Sequence, residues 1–217
     1  MFFQVTLLAF TALLPMVNPP TTATLLLGLT KDQTPAFIKR QVNLAAIWLF
    51  LTLCITFFIG SSILNTFGIS IPGLRLAGGL IIGVIGFRML FPAPTSDNQL
   101  PSEDSIAFVP LTIPSMCGPG TMALVISGAA QISDLPTDYE RMPIYAGMVA
   151  AFALISLTSW IVLRMAQPVC RFMGKTGIDA LTRIMGFLLI SMGMQFMING
   201  VKELLADPAF RIMCTMQ

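Results

Sequence analysis

The sequence predicts an all-α integral membrane protein of six transmembrane helices, arranged as two inverted three-helix repeats with helices 1 and 4 broken. Three observations predict it. First, 55% of the 217 residues are apolar and only 10% are charged, against about a quarter charged in an average soluble domain. Second, residues 1–30, 41–74, 105–133, 142–163 and 184–201 carry no charge at all. A hydrocarbon core of about 30 Å needs about 20 such residues per helix. Third, a proline-centred interruption occurs once in each half of the chain, inside an otherwise apolar run.

The elements follow in order. Helix 1 covers Phe2 to Leu29. Met1-Phe2-Phe3-Gln4 lacks a basic n-region and no small-residue cleavage site follows, so this run is expected to stay as a span rather than leave as a signal peptide. Lys31 to Gln41 form the first polar loop, and helix 2 covers Asn43 to Leu64. After the turn Asn65 to Pro72, helix 3 ends near Phe91. Its uncharged stretch is short, Leu76 to Phe87, but Arg75 and Arg88 bracket it and can snorkel outward. Residues 92–104, with Pro94, Ser96, Pro101 and three acids, read as a cytoplasmic linker. Residues 1–91 are then the first three-helix repeat and 105–217 the second. Helix 4 covers Ile106 to Ile132, helix 5 Tyr145 to Met165 and helix 6 Leu181 to Leu204, with Gln167 to Ala180 a loop or an interfacial helix.

Basic residues gather on the cytoplasmic side of membrane proteins. With both termini periplasmic, the cytoplasmic loops hold Lys31, Lys39, Arg40, Arg88, Arg164, Arg171, Lys175 and Arg183, eight in all, and the other face only Arg75, Arg141, Lys202 and Arg211. That asymmetry sets the expected orientation.

Repetition explains the layout. Pro15, Pro20, Thr22 and Leu25 line up with Pro114, Pro119, Thr121 and Leu124, and Arg75, Gly78 and Met89 with Arg183, Gly186 and Met197. Three helices per half is an odd number, so the second half enters the membrane from the opposite side, the arrangement of many secondary transporters.

The interruptions carry the chemistry. An interior proline removes a backbone donor and costs roughly 3 kcal/mol in an ordinary helix. Within lipid such a break survives only where protein or a wet cavity satisfies the freed groups. If Pro20 and Pro119 start half-helices, the amides of Thr21, Thr22 and Ala23, and of Gly120, Thr121 and Met122, are expected to be unpaired and to favour an anion such as a solute carboxylate. Asn18, Thr21, Thr22, Ser115 and Thr121 add side-chain partners, and Pro20, Gly118 and Gly120 shape the space. The plainer alternative is a pair of kinks that only shape helix packing.

Four further residues are pathway candidates. Arg75 and Arg183 would act as gates or carboxylate partners, or would snorkel to headgroups. Gln195 and Asn199, four apart on helix 6, would line a polar pathway or join helix 6 to a neighbour. Gly73, Gly78, Gly79, Gly83 and Gly86 thin helix 3 for close packing.

All ten acids lie in loops or at span ends and histidine is absent, so a midplane proton relay is disfavoured. Coupling to sodium at unwound carbonyls, some other use of protons, or uncoupled facilitation stays open. No Ser-His-Asp, Cys-His, metal-ligand or phosphate-loop pattern exists, so no catalysis and no cofactor are expected, nor any nucleic-acid partner. Cys54, Cys117, Cys170 and Cys214 read as small packing residues.

Longer runs carry a resemblance: Asn18-Pro19-Pro20-Thr21-Thr22, the stretch Phe67-Gly68-Ile69-Ser70-Ile71-Pro72-Gly73-Leu74-Arg75 with Gly78-Gly79, Ile113-Pro114 with Gly118-Pro119-Gly120-Thr121, Gly174-Lys175 with Gly177, and Arg183-Ile184-Met185-Gly186-Phe187 through Gln195 and Asn199. Over nearly its whole length the chain resembles the MarC family of bacterial inner-membrane proteins, which includes small neutral amino acid transporters of the SnatA type. The resemblance implies a six-helix, LysE-like fold and transport of glycine, alanine or a similar solute. Two rivals make different demands on the structure. An exporter of drugs or other metabolites needs a larger, more aromatic cavity, whereas a non-transporting membrane protein would have its breaks packed shut.

Overall fold

A computed structural model describes residues 1–30, 33–66, 68–91, 105–133 and 141–206. Its elements are helical: α1 (Phe2–Val17), α2 (Pro19–Leu29), α3 (Pro35–Thr66), α4 (Ile71–Leu90), a wide-turned segment Ala107–Met116, α5 (Pro119–Ser133), α6 (Arg141–Arg164) and α7 (Ala166–Ala206). Among the described residues, five stretches are long and apolar enough to cross a membrane: Phe2–Leu27, Pro35–Gly60, Ile71–Leu90, Arg141–Arg164 and Thr176–Ala206. The region expected as helix 4 is instead two shorter pieces. The expected linker 92–104 lies outside the described residues.

The break in the first span has a local cause. Asn18 adopts φ 41°, ψ 63°, a left-handed conformation that asparagine tolerates better than most residues. Its amide still donates to Leu14 O at 3.0 Å, closing α1. Pro19 and Pro20, with φ preset and no amide to satisfy, then open α2.

The break in the second half is more extended. Val109 (φ −122°, ψ 126°) and Ile113 (φ −115°, ψ 124°) are stretched out of helical geometry, and each precedes a proline, which forces the residue before it into that region. The backbone recovers through bonds five residues apart, Leu111 N to Ile106 O at 3.2 Å and Cys117 N to Thr112 O at 2.8 Å. Side chains meet other freed groups, as an apolar surround demands. The buried Gln41 Oε1 accepts from Ile106 N at 3.2 Å and Ala107 N at 3.0 Å. The Thr112 hydroxyl donates to Ala107 O at 2.8 Å, with Ala45 O at 3.2 Å.

These contacts also fix directions. Gln41 meets Ile106, Ala45 meets Thr112, and Gly60 abuts Ile126, so the broken segment runs parallel to α3. By contrast α3 and α6 are antiparallel. Phe57 packs edge-on to Tyr145 and Phe152, while Asn43 Oδ1 accepts from Trp160 Nε1 (2.8 Å) and Arg164 Nη1 (3.3 Å) at the other end.

The closest helix pair is α4 with α7. A methyl group added at Gly79 would stand 2.6 Å from Gly193 O, and one at Gly193 would stand 2.5 Å from Gly79 O. Gly86 and Gly186 face each other in the same way, at 2.6 and 2.7 Å, and Gly200 faces Pro72 O at 3.0 Å. Rising numbers on α4 meet falling numbers on α7, so this ladder is antiparallel. The expected glycine face of helix 3 is thus divided: Gly79 and Gly86 meet α7, Gly78 meets Ala123 of α5, and a methyl group added at Gly83 would point into open space, although the Gly83 backbone lies against Gly193. Gly174 (φ 62°, ψ 173°) bends α7 near its start, a conformation suited to glycine alone. The stretch Gln167 to Ala180 is therefore helical on both sides of a bend.

Burial is inverted relative to a water-soluble protein. Phe3 is 84% exposed, and Leu8, Phe58, Phe87 and Phe187 also face outward. Asn18, Thr22, Thr112, Thr121 and Ser127 are buried beside Leu49, Leu53, Phe57, Met116 and Phe152. Lipid is the solvent that makes this arrangement stable.

Candidate functional site

The two breaks meet. Thr22 on the first turn of α2 and Ser115 just before α5 bring their hydroxyls to 2.9 Å, and the Thr22 hydroxyl lies 3.4 Å from Asn18 O. On the other side of Ser115, the Thr121 hydroxyl reaches back 3.4 Å to Met116 O. Next to this bridge lies a cavity of about 50 Å³, lined by Ser115, Gly118, Gly120 and Thr121 and walled by Met16, Ile82, Ile85 and Leu189. Gly120 is needed there. A methyl group on it would stand 2.9 Å from Ile82 Cγ1 and 3.1 Å from Met16 Cε.

The supply of free amides is smaller than the sequence implies. Thr22 N donates to Asn18 O at 3.3 Å and Met122 N to Gly118 O at 3.0 Å, so helical pairing is already established at those residues. Helix α2 also begins at Pro19, one residue earlier than expected. Proline has no amide, which leaves Thr21 on α2 and Gly120 and Thr121 on α5 with the orphan donors of a helix start. Ala23 lies deeper inside α2.

Asn18 provides the most pointed observation. It is 6% exposed, yet neither Oδ1 nor Nδ2 of its carboxamide has a partner. A buried amide left unpaired costs on the order of 1–3 kcal/mol. Its carboxamide offers one acceptor and one donor group at the helix break.

The remaining expected residues divide. Pro20 is half-buried in the first turn of α2, and the Thr21 hydroxyl lies 3.2 Å from that of Thr182 on α7. Arg75 is buried at 6% exposure; its Nε donates to Ser127 Oγ at 2.8 Å and its Nη1 pairs with Glu203. Arg183 is exposed, so the matching arginines occupy unlike surroundings. Carrying the offset between the breaks over to Ser127 leads to Gly28, which offers no hydroxyl. Gln195 Nε2 donates to Asn199 Oδ1 at 3.0 Å on an exposed face of α7. A single hydrogen bond joins the two amides, and neither residue lines the cavity.

Met16, Ile82, Ile85 and Leu189 were not anticipated as cavity walls. The signal for three of them was the glycine pattern: Gly78 admits α5 against α4, beneath Ile82 and Ile85, and Leu189 lies between Gly186 and Gly193.

Comparison with known proteins decides the family. The family model described as MarC family integral membrane protein matches residues 3–205. The chain belongs to the MarC family. An inner membrane protein MarC of Citrobacter koseri is 43% identical over 209 residues, covering 91% of this chain and 94% of that one. The MarC protein of Escherichia coli strain K12 / DH10B is 42% identical over the same shares. No solved structure matches the chain. The MarC family match runs through both breaks and all five apolar spans, so the protein is a multi-pass integral membrane protein whose candidate site lies in the matched region.

Proposed function

We propose that this chain is an inner-membrane secondary transporter of a small neutral solute, an amino acid of the size of glycine or alanine, working by alternating access. The observation that carries the reading is the junction of the two broken helices. Asn18 holds an unpaired carboxamide there, and Ser115, Gly118, Gly120 and Thr121 line a small cavity whose walls do not include Asn18. A carboxylate suits the orphan amides of Thr21, Gly120 and Thr121 at the positive ends of two half-helices. An ammonium group suits Asn18 Oδ1 and the Ser115 hydroxyl.

Size agrees with this chemistry. At roughly 10–15 Å³ per water-sized position, a cavity of about 50 Å³ has about three to five positions, close to the five heavy atoms of glycine. No aromatic residue lines it, which disfavours a drug exporter, and a small space with the Ser115 and Thr121 hydroxyls in its lining disfavours breaks that are packed shut.

Six crossings in two inverted halves are supported by direction. Gln41 to Gly60 on α3 rises about 28 Å at 1.5 Å per residue, close to the thickness of a hydrocarbon core. Ile106 to Ile126 accompanies it over that distance. The antiparallel pairing of α4 with α7, and of α3 with α6, likewise requires one crossing between α4 and α6. With the basic residues on the cytoplasmic side, both termini are periplasmic.

The test is uptake of radiolabelled glycine and alanine into proteoliposomes, with and without a sodium or proton gradient, for the wild type and Thr121→Val. Uptake that the variant loses supports the site, and its gradient dependence identifies the coupling ion. Absence of uptake of either amino acid, with folded protein in the vesicles, rejects the reading.

A further inference from the structure

A second cavity lies away from the broken-helix junction. It occupies about 200 Å³ where the end of α2 meets the starts of α3 and α7 and the end of α6. Its walls are apolar, with Leu26, Ile38 and Leu163 among them, and its polar groups are Lys39, Arg164 and Gln167.

Both cations there lack a carboxylate partner among the described residues, where the ion pair present is Arg75 with Glu203. Arg164 is nevertheless held in place. Its guanidinium lies 5.6 Å from the centre of the Trp160 ring, and its Nη1 donates to Asn43 Oδ1 at 3.3 Å. Neither contact neutralises its charge. The first turns of α3 and α7 also border the cavity, through Pro35 and through Ala166 to Pro168, and helix starts add positive potential.

The position is equally informative. Lys39 and Arg164 stand where the apolar runs of α3 and α6 end, the depth at which phospholipid headgroups sit. A soluble anion would gain nothing from leucine and isoleucine walls. A phospholipid would place its phosphate between the cations and its glycerol and first acyl carbons against those walls. At roughly 10–15 Å³ per water-sized position, the cavity of about 200 Å³ is large enough for a glycerophosphate group.

We infer that this cavity is a binding site for an anionic phospholipid headgroup, with Lys39 and Arg164 pairing with the phosphate and Gln167 donating to it. The lipid joins α2, the half-helix that follows the Asn18 break, to α3, α6 and α7. Because the inference rests on a different cavity, it stands or falls independently of the transported solute.

Trp160 beside Arg164 is a built-in reporter. The chain has two tryptophans, so Trp48→Phe leaves Trp160 as the sole fluorophore. The Trp48→Phe protein is reconstituted in phosphatidylcholine, and phosphatidylglycerol with brominated acyl chains is titrated in. Brominated phosphatidylcholine serves as the reference quencher. The expected result is stronger quenching by the anionic lipid at equal mole fraction, weakening as salt is raised. Lys39→Gln combined with Arg164→Gln should lower the preference about five-fold per removed charge, each variant being read against its own unquenched signal. Lys39→Arg with Arg164→Lys should keep it. If the double glutamine variant fails to fold, the single change at the exposed Lys39 gives the five-fold step alone. Equal quenching by the two lipids, or a preference unchanged in folded glutamine variants, overturns the inference. Displacement of the anionic lipid by millimolar inorganic phosphate also overturns it and reassigns the cavity to a soluble phosphate.

Discussion

Gly120→Ala is the most informative single change at the helix junction. The added methyl group would stand 2.9 Å from Ile82 Cγ1 and 3.1 Å from Met16 Cε, closer than ordinary van der Waals contact. Met16 Cε is the end of a flexible side chain and can swing aside, whereas Ile82 is buried and β-branched and must turn, so the protein should fold with a lower melting temperature. The methyl group takes its room from the cavity, leaving it roughly one water-sized position smaller out of about three to five. Fitting the solute into the reduced space is overpacking of the loaded state, at a cost of about 1–3 kcal/mol. At 1.4 kcal/mol per factor of ten, that is a rise in KM of about 5- to 150-fold. Alanine, with one more methyl group than glycine, should suffer at the upper end of that range and glycine at the lower. The assay is concentration-dependent uptake of both amino acids into proteoliposomes, with thermal unfolding in detergent to confirm a folded variant. Equal, undiminished uptake of both by folded Gly120→Ala would refute the assignment of this cavity as the solute site.

Three other outcomes follow from the same geometry. Asn18→Gly keeps the left-handed backbone at no steric cost but removes the carboxamide, so the protein should melt near the wild-type temperature and lose uptake. Asn18→Ala adds a backbone penalty of about 1–2 kcal/mol and should also melt lower. Along the α4–α7 ladder, Gly86→Ala and Gly193→Ala should each destabilise by about 1–3 kcal/mol, measured as loss of monodisperse protein on heating. Gly83→Ala, whose added methyl group meets nothing within 4 Å, should be neutral. Arg75→Ala strands Glu203 and Ser127 and should lower the melting temperature more than Glu203→Gln, because Glu203 is 40% exposed and water replaces part of what it loses.

Much of the scaffold is legible in the sequence because lipid permits so few solutions. Charge-free runs locate the spans, Pro119 locates the start of α5, and Pro20 lies one residue past the start of α2. The chain between Ile106 and Met116 is harder to read. Pro110 and Pro114 announce a disruption, but its repair depends on Gln41 and Ala45, more than sixty residues away. The unpaired amides were overcounted because Thr22 and Met122 find carbonyls only once the caps at Asn18 and Gly118 take up their geometry. Arg75 and Arg183 look equivalent as letters. Their difference is tertiary, since Ser127 and Glu203 come to one of them across 52 and 128 residues of chain. Gln195 and Asn199 share a helix face because they stand four apart, and that spacing lets Gln195 donate to Asn199 on the same helix.

The glycine ladder has a consequence for motion. Where Gly79 and Gly86 lie against Gly193 and Gly186, two backbones touch with no side chains between them to rearrange. Under the proposed alternating access, α4 and α7 should travel as one bar, although α4 precedes residues 92–104 and α7 follows them. The dividing line between moving parts would then run across the two proposed halves rather than along the seam between them. A covalent tie between α4 and α7 should leave turnover intact, whereas a tie replacing the Thr22–Ser115 contact should arrest it.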